Sequence, residues 1–182
     1  MKVFIIAAIT TDGFIAKDEN HAAMWTSKED KKRFVELTKQ AGVAIMGSRT
    51  FRTLPRPLKE RLNIVYSKSP DFINQTKIRY QENPDLQPIE ITQDEPRILL
   101  EKIAVRGYKE VAICGGAQIY TAFIKAHAVT TIYLTIEPLF FGKGISLFNE
   151  SLENIHLELV SREATPTGSL LLEYKVNYHG NM

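Results

Sequence analysis

Short apolar runs recur along the chain at intervals that a helix can bridge, and this alternation limits the folds open to it. The runs hold four to eight mostly apolar residues each, between polar or glycine-containing stretches, at 2–9, 43–47, 62–66, 109–114 and 130–136. Such runs are typical of strands buried on both faces of a sheet. Apolar residues at helical spacing fill three intervening segments, 27–41, 95–105 and 116–126. The alternation predicts an α/β fold with a mostly parallel, twisted sheet and helices on both faces.

The carboxyl-terminal part of the chain has a different pattern. Residues 155–160 and 170–177 read as two strands, joined by the turn sequence Thr-Pro-Thr-Gly-Ser at 165–169. This pattern predicts an antiparallel hairpin at the edge of the sheet. No repeat, linker or low-complexity tract divides the 182 residues, so we expect a single domain over residues 1–182.

Residues 67–95 carry the weakest pattern. Prolines at 70, 84 and 88 interrupt the segment, and the stretches 77–80 and 88–91 are interpreted as short strands between loops.

The charge balance argues against nucleic acid or an anionic membrane as a partner. The 23 Lys and Arg residues nearly match the 21 Asp and Glu residues, giving a formal charge of +2. The apolar run at 3–9 is too short to span a bilayer and is not followed by a small-residue cleavage site. We therefore expect a cytoplasmic protein that acts on a small molecule.

Cysteine and histidine usage indicates neither a disulfide nor a metal site. Cys114 is the single cysteine and lies in an apolar run, as a buried and inert thiol would. The four histidines are scattered and show no metal-ligand spacing with it. Neither a Gly-x-Ser-x-Gly sequence nor a phosphate-binding P-loop occurs, which argues against hydrolase and kinase chemistry.

Asp30 stands out because it lies on the apolar stripe of the first predicted helix, four residues before Phe34. One interpretation is a capping box, in which Ser27 begins the helix and Asp30 returns a hydrogen bond to it; Thr26 and Glu29 offer the same box one residue earlier. The other is a functional carboxylate, whose pKa burial would alter to suit acid–base work. The residues alone leave both open.

Two glycine-containing turns follow predicted strands. Residues 47–50, Gly-Ser-Arg-Thr, open a short helix whose amino terminus can hold a phosphate group. Gly115 and Gly116 lie between a strand and a helix, where open α/β sheets place their ligand crevice. Each turn is equally compatible with an ordinary strand-to-helix connection.

Taken together and in order, several motifs resemble the dihydrofolate reductase family over about residues 3–177. They are the series Trp25, Asp30, Phe34 and Thr38, followed by residues 46–51, 56–65, 114–120 and 133–135. Residues 11–16 and 141–148 look equally like the reductase domain of riboflavin synthesis.

The resemblance implies a sheet of about eight strands and NADPH-dependent reduction of dihydrofolate. It assigns catalytic positions to Trp25, Asp30 and Thr135. It assigns a substrate pocket to Ile6, Ala7, Asp30, Phe34, Leu54, Leu58, Arg61, Cys114 and Tyr120, with Arg61 on the substrate's α-carboxylate. It assigns cofactor contacts to Ala8, Ile15, Gly47, Ser48, Arg49, Thr50, Ser67, Lys68, Gly115, Gly116, Ala117, Gln118 and Ile119.

The resemblance also assigns the cofactor's 2′-phosphate to Ser67 and Lys68, and a mobile lid to residues 10–25. Ser48 departs from the family, which commonly has a basic residue there. The alternatives are a pyrimidine reductase of the riboflavin-pathway type and a non-catalytic pterin- or nucleotide-binding protein on the same fold. Either a monomer or a homodimer is expected.

Overall fold

The computed structural model describes residues 1–82, 89–153 and 155–178. The strands are β1 Lys2–Thr10, β2 Phe14–Ala16, β3 Val43–Gly47, β4 Leu62–Tyr66, β5 Ile89–Thr92, β6 Glu110–Ile113, β7 Thr131–Glu137, β8 Ile145–Ser146, β9 His156–Ala164 and β10 Leu170–Asn177. The α-helices are α1 Lys28–Ala41, α2 Ser48–Arg52, α3 Pro70–Glu82, α4 Pro96–Val105 and α5 Ala117–Lys125, and a 3₁₀ turn covers Ala23–Trp25. No helix within these ranges is both long enough and apolar enough to cross a membrane.

Eight strands form one sheet in the order β5-β4-β3-β6-β1-β7-β10-β9. The first six of that order run parallel, whereas β10 is antiparallel to both β7 and β9. The predicted fold class, the strand number and the terminal antiparallel hairpin are therefore confirmed. The hairpin is longer than expected, because β9 continues to Ala164.

The two faces of the sheet are covered by different helices, since successive side chains of a strand point to opposite faces. On one face Ile5 of β1 packs with Ile103 of α4 and Phe123 of α5. On the other face Ile6 packs with residues of α1, α2 and α3. Helices on both faces leave the parallel strands buried, which explains their continuous apolar sequences.

The interpretation of residues 77–80 as a strand was wrong, because these residues lie in α3. This helix starts after Ser69, whose Oγ accepts a hydrogen bond from Phe72 N at 3.3 Å, and proline at the first helical position suits such a start. The strand expected at 88–91 corresponds to β5, Ile89–Thr92. Pro84 and Pro88 lie outside the described residues.

A second sheet of two short strands was not predicted. It pairs β2 with β8 in antiparallel orientation, beyond the ends of β1 and β7. Strands of three and two residues are too short to show an apolar period.

The connections place a crevice at the carboxyl ends of the parallel strands. The connection from β1 leads to β3, which lies on the β6 side of β1. The connection from β6 leads to β7, which lies on the opposite side of β1. Connections that diverge in this way leave a gap at the strand ends, and open α/β sheets bind ligands there. The loops after β1, β3, β4, β6 and β7 therefore surround one edge of the molecule.

Candidate active site

Asp30 lies in the first turn of α1 and is only 9% exposed. Its carboxyl lies beside the side-chain hydroxyls of Thr135, on β7, and Thr26. Burial raises the pKa of Asp30, as does the nearby charge of Glu137, while the two threonines and Arg33 act in the opposite direction and do not overcome burial. The structure thus brings together Asp30 and Thr135, two of the three predicted catalytic residues.

The start of α1 shows why the Asp30 carboxyl is available. Ser27 is the N-cap residue, and its Oγ accepts from Asp30 N at 3.2 Å. The reciprocal bond of a capping box is missing from this helix start, because Ser27 N donates to Glu137 Oε1 at 2.8 Å instead. Asp30 therefore belongs to the helix cap through its backbone and to the crevice through its carboxyl.

The two glycine turns meet at the carboxyl ends of β3 and β6. Gly47 N donates to Gly115 O at 2.7 Å, and the Gly115–Gly116 peptide is cis. A Cβ on Gly47 would lie 3.3 Å from Ile119 Cγ1, and one on Gly116 would lie 3.1 Å from Thr50 Oγ1. A Cβ at either position would force its neighbour to shift by a few tenths of an ångström, so glycine eases the approach of the amino termini of α2 and α5. Paired helix amino termini suit a diphosphate group.

We call the place where Gly47 meets Gly115 and Gly116 the glycine junction. The other residues assigned to a cofactor differ in their burial and in their contacts with it. Ile119 contacts Gly47, and Ala117 is buried in the first turn of α5. Ala8 and Ile15 are half-buried, in β1 and β2. Ser48 and Thr50 are half-buried in α2, where Arg49 is exposed and forms an ion pair with Glu19 at 2.5 Å.

The residues assigned to the 2′-phosphate lie at the end of β4. Ser67 is buried, and its Oγ accepts from Ser69 N at 3.2 Å. Lys68 is exposed, as is Gln118 at the start of α5. The structure shows no contact that joins Lys68 or Gln118 to the glycine junction, so the roles of these two residues stay predictions.

An apolar wall runs along α1 toward the interior. Ile6 and Cys114 belong to one buried cluster, against which Phe34, Leu54 and Leu58 pack. Burial raises the pKa of the Cys114 thiol to about 12, so it is an inert apolar side chain, as its sequence context predicted. The same crevice is bounded by Ala7, which is buried in β1. The hydroxyl of Tyr120 donates to Ile6 O at 2.8 Å and fixes α5 to β1.

Arg61 is 6% exposed and precedes β4, at the opposite end of that strand from Ser67. Its Nε donates to Lys59 O at 2.8 Å, and its Nη1 donates to Thr38 Oγ1 near the end of α1. Asp30 and Thr38 are eight residues apart on α1, which corresponds to about 12 Å along a helix. Asp30 and Arg61 therefore lie toward opposite ends of α1.

The predicted lid is held by contacts that the sequence did not reveal. Asp12 Oδ2 accepts from Gly142 N at 2.7 Å, and both Asp12 oxygens accept from Phe141 N at 3.2 Å. The Phe141 ring contacts Trp25 edge-to-face, with centroids 5.0 Å apart. Within the described ranges, Trp25 Nε1 and the Tyr66 hydroxyl are the buried side-chain polar atoms without a hydrogen-bond partner. A buried polar atom without a partner in the protein can be satisfied by water or a ligand.

Glu137 is the main site-associated residue that the sequence analysis missed. Its side chain is 3% exposed and accepts hydrogen bonds from Ser27 and Ser169. No local signal marks it, since Ser27 lies 110 residues away. In the part of the chain that the structure describes, no group of three or more His, Cys, Asp or Glu residues could hold a metal ion.

Comparison with known sequences identifies relatives over most of the chain. The sequence model of the family described as dihydrofolate reductase matches residues 2–163. The uncharacterised protein YyaP of Bacillus subtilis is 26% identical over 187 aligned positions, covering 97% of this chain and 95% of that protein.

Solved structures with the same fold include two whose names refer to pyrimidine reduction. A pyrimidine reductase-like protein of Corynebacterium diphtheriae has a TM-score of 0.73 at 16% identity, covering 97% of this chain and 92% of its own. A diaminohydroxyphosphoribosylaminopyrimidine deaminase/5-amino-6-(5-phosphoribosylamino)uracil reductase of Thermotoga maritima has a TM-score of 0.73 at 15% identity, covering 96% of this chain and 56% of its own. At such identities the likeness establishes the fold.

Proposed function

The chain belongs to the dihydrofolate reductase family of reductase-type oxidoreductases, and we propose that it reduces a carbon–nitrogen double bond in a small pyrimidine-containing molecule, with NADPH as hydride donor. The observation that carries the proposal is the buried carboxyl of Asp30, which lies beside the hydroxyls of Thr135 and Thr26 near the ends of β1 and β7. A carboxyl in this setting can accept hydrogen bonds from a pyrimidine ring and assist proton transfer.

The proposed reaction adds a hydride to carbon and a proton to nitrogen, so that C=N becomes CH–NH. NADPH supplies the hydride when it is bound and leaves as NADP⁺. Asp30 orients the substrate and assists delivery of the proton, because its raised pKa keeps a proton available closer to neutral pH. Trp25 and Phe141, whose rings contact each other, would help to cover the bound substrate and exclude water from it.

The residues around the glycine junction fit a diphosphate-containing cofactor. The glycines ease the approach of the two helix amino termini, since a Cβ on Gly47 would press against Ile119 and one on Gly116 against Thr50. Ser67 and Lys68 follow the neighbouring strand and supply a hydroxyl and a cation. These groups suit the 2′-phosphate that distinguishes NADPH from NADH.

Replacing Lys68 with Ala is expected to raise the KM for NADPH and to change the KM for NADH little, because only NADPH carries the 2′-phosphate. The matched control is Lys109→Ala, which removes the same charge from an exposed lysine at the amino end of β6. Steady-state kinetics with both cofactors measure the effect. Equal losses with NADPH and NADH would remove Lys68 from this role.

The comparisons favour a riboflavin-pathway pyrimidine as substrate. Both solved structures named above refer to pyrimidine reduction, and one names 5-amino-6-(5-phosphoribosylamino)uracil. In its open-chain form a ribosylamino group contains a carbon–nitrogen double bond, so this compound meets the chemical requirement. Its phosphate is an anion that a cation such as Arg61 can bind.

Dihydrofolate is the second candidate, and Asp30 and Arg61 together favour it. The pterin presents a ring NH and an amino group side by side, which match the two oxygens of a carboxylate. Arg61 lies near Thr38, about 12 Å along α1 from Asp30. An elongated substrate with a carboxylate at its far end fits that separation.

If dihydrofolate is the substrate, Arg61→Leu is expected to weaken its binding by about 2–5 kcal/mol, because a buried carboxylate would lose its partner. A pterin without the glutamate tail should be affected far less. The exposed Arg56 is the control, as Arg56→Leu removes the same charge nearby. Equal losses for both pterins would assign Arg61 a structural role through Thr38 and Lys59.

The proposal is tested by following NADPH absorbance with each substrate in turn. We expect oxidation of NADPH with 5-amino-6-(5-phosphoribosylamino)uracil at a higher kcat/KM than with dihydrofolate. The reverse order would select the second candidate. Absence of oxidation with both compounds, in a folded protein that binds NADPH, would contradict the proposed function and favour a non-catalytic binding protein.

A further inference from the structure

Glu137, the last residue of β7, connects three elements around the crevice. Its Oε1 accepts from Ser27 N and from Ser27 Oγ, each at 2.8 Å. Its Oε2 accepts from Ser169 Oγ, in the turn before β10, at 2.5 Å. A buried carboxylate that receives hydrogen bonds on both oxygens is held in one orientation.

The bond from Ser27 N is the one that a capping box gives to the third residue of the helix. In α1 that residue is Asp30, and its backbone already donates to Ser27 Oγ. Since Glu137 accepts the Ser27 N–H, the Asp30 carboxyl has no cap to complete. It lies beside the hydroxyls of Thr135 and Thr26 instead.

We propose that Glu137 is a positioning residue for Asp30: by accepting the Ser27 N–H it keeps the Asp30 carboxyl out of the helix cap and in the crevice. This inference rests on the proposed function, in which Asp30 contacts the substrate. It adds a residue that contacts neither substrate nor cofactor and acts through the start of α1.

Glu137 also adds a negative charge near Asp30. The charged and titratable groups that face Asp30 are Glu137 from β7, Arg33 from α1 and Tyr120 from α5. Glu137 acts with burial to raise the pKa of Asp30, and Arg33 lowers it. Loss of Glu137 is therefore expected to lower the pKa of Asp30 in two ways. It removes a like charge, and it frees the Ser27 N–H to donate to the Asp30 carboxyl.

The direct test is a carboxyl NMR titration of Asp30, which needs no substrate. Glu137→Gln retains an oxygen for Ser27 and removes the charge, so the pKa of Asp30 should fall. Glu137→Ala should lower it further, because Asp30 then closes the capping box. The control is Ser169→Ala, which removes the Oε2 contact and should leave the pKa of Asp30 near its wild-type value. Equal pKa values of Asp30 in Glu137→Gln and Glu137→Ala would overturn the inference, because only Glu137→Ala lacks the oxygen that accepts the Ser27 N–H. Glu137→Val, which also lacks that oxygen, replaces Glu137→Ala if the latter does not fold.

A reversal experiment separates positioning from general support. Ser27 has φ −63°, which proline adopts without strain. Ser27→Pro removes the N–H that would capture Asp30 together with the Oγ that caps Asp30 N, so Ser27→Ala, which removes the Oγ alone, is combined with Glu137→Ala as the control. Adding Ser27→Pro to Glu137→Ala should therefore restore the raised pKa of Asp30 in part. If the double variant titrates like Glu137→Ala, the Ser27 N–H does not govern Asp30 and the inference is wrong.

Kinetics extend the test to the reaction. Glu137→Ala should lower kcat/KM by about 10²-fold, the scale of a misplaced reacting group, and Glu137→Gln should retain most of the rate. In an Asp30→Asn background the Glu137→Ala effect should vanish, because the two residues act in series. Additive effects would overturn the inference. Because the NMR result does not depend on turnover, an inactive wild-type protein would contradict the proposed function alone.

Discussion

Replacing Asp30 with Asn is expected to reduce turnover at neutral pH by roughly 10²–10⁴-fold, the usual scale of acid–base assistance. Asparagine keeps the size of the side chain and the backbone N–H that donates to Ser27 Oγ, so α1 should begin where it does in the wild type. NADPH binding should be retained, because the glycine junction is untouched. The rate should recover partly at low pH, where solution acid can protonate the substrate.

Stability provides the control for this variant. The pKa of Asp30 is raised in the folded state, so folding favours its protonated form, and that contribution is lost as pH rises through the folded-state pKa. Asp30→Asn removes the cost of holding a buried charge at neutral pH. Its free energy of unfolding should therefore equal or exceed that of the wild type. Normal turnover by the well-folded variant would remove Asp30 from the mechanism.

Replacing Gly115 with Ala is expected to damage both stability and cofactor binding. Gly115 has φ +116°, and a Cβ there would lie 3.1 Å from the Tyr120 hydroxyl, which donates to Ile6 O. A non-glycine residue in this region costs about 1–3 kcal/mol, and the displaced tyrosine adds to it. Since Gly115 O accepts from Gly47 N, the two helix amino termini should also separate. We expect NADPH to bind at least about tenfold more weakly, which corresponds to about 1.4 kcal/mol.

Gly107 offers a matched control for backbone strain. It has φ +87°, and a Cβ there would meet nothing within 4 Å. Gly107→Ala should therefore lower the free energy of unfolding through strain alone and leave the Kd for NADPH unchanged. Chemical denaturation and cofactor titration of both variants separate the two effects. Wild-type affinity in a folded Gly115→Ala protein would remove the glycine junction from the cofactor site.

The fold could be predicted for those segments whose sequence is compatible with only one kind of secondary structure. The runs at 43–47 and 62–66 match β3 and β4 residue for residue, because strands covered on both faces need continuous apolar sequence. The helix expected over 27–41 is confirmed, with Ser27 as its N-cap and Gly42, at φ 72°, ending it. These signals are local and strong.

The helix α3 shows why other segments were harder. Its residues 77–80 alternate polar and apolar side chains, as a strand does. The better guide was its start, where Ser69 and Pro70 form a capping pair with Phe72 N as donor. A strong start signal should have outweighed a four-residue alternation.

The candidate site could be predicted in its residues but not in its connections. Asp30 does not close the capping box that the sequence offered: its backbone N–H donates to Ser27, while its carboxyl lies beside Thr135. The residue that divides these roles is Glu137, and its partner Ser27 is distant in sequence. Arg33 of α1 is a charged residue that reaches Leu172 O at 2.8 Å and lies over the Tyr133 ring. Long side chains can cross a helix surface, so their spacing alone does not fix their partners.

The central claim is that the protein transfers a hydride from NADPH to carbon in a carbon–nitrogen double bond. The most direct measurement uses NADPH deuterated at both C4 positions, with 5-amino-6-(5-phosphoribosylamino)uracil or dihydrofolate, and analyses the product by mass spectrometry. The account predicts a product that carries a single deuterium, formed in step with loss of NADPH absorbance and much more slowly by Asp30→Asn. NADPH that stays unoxidised with both substrates, or a product that carries no deuterium, would contradict it.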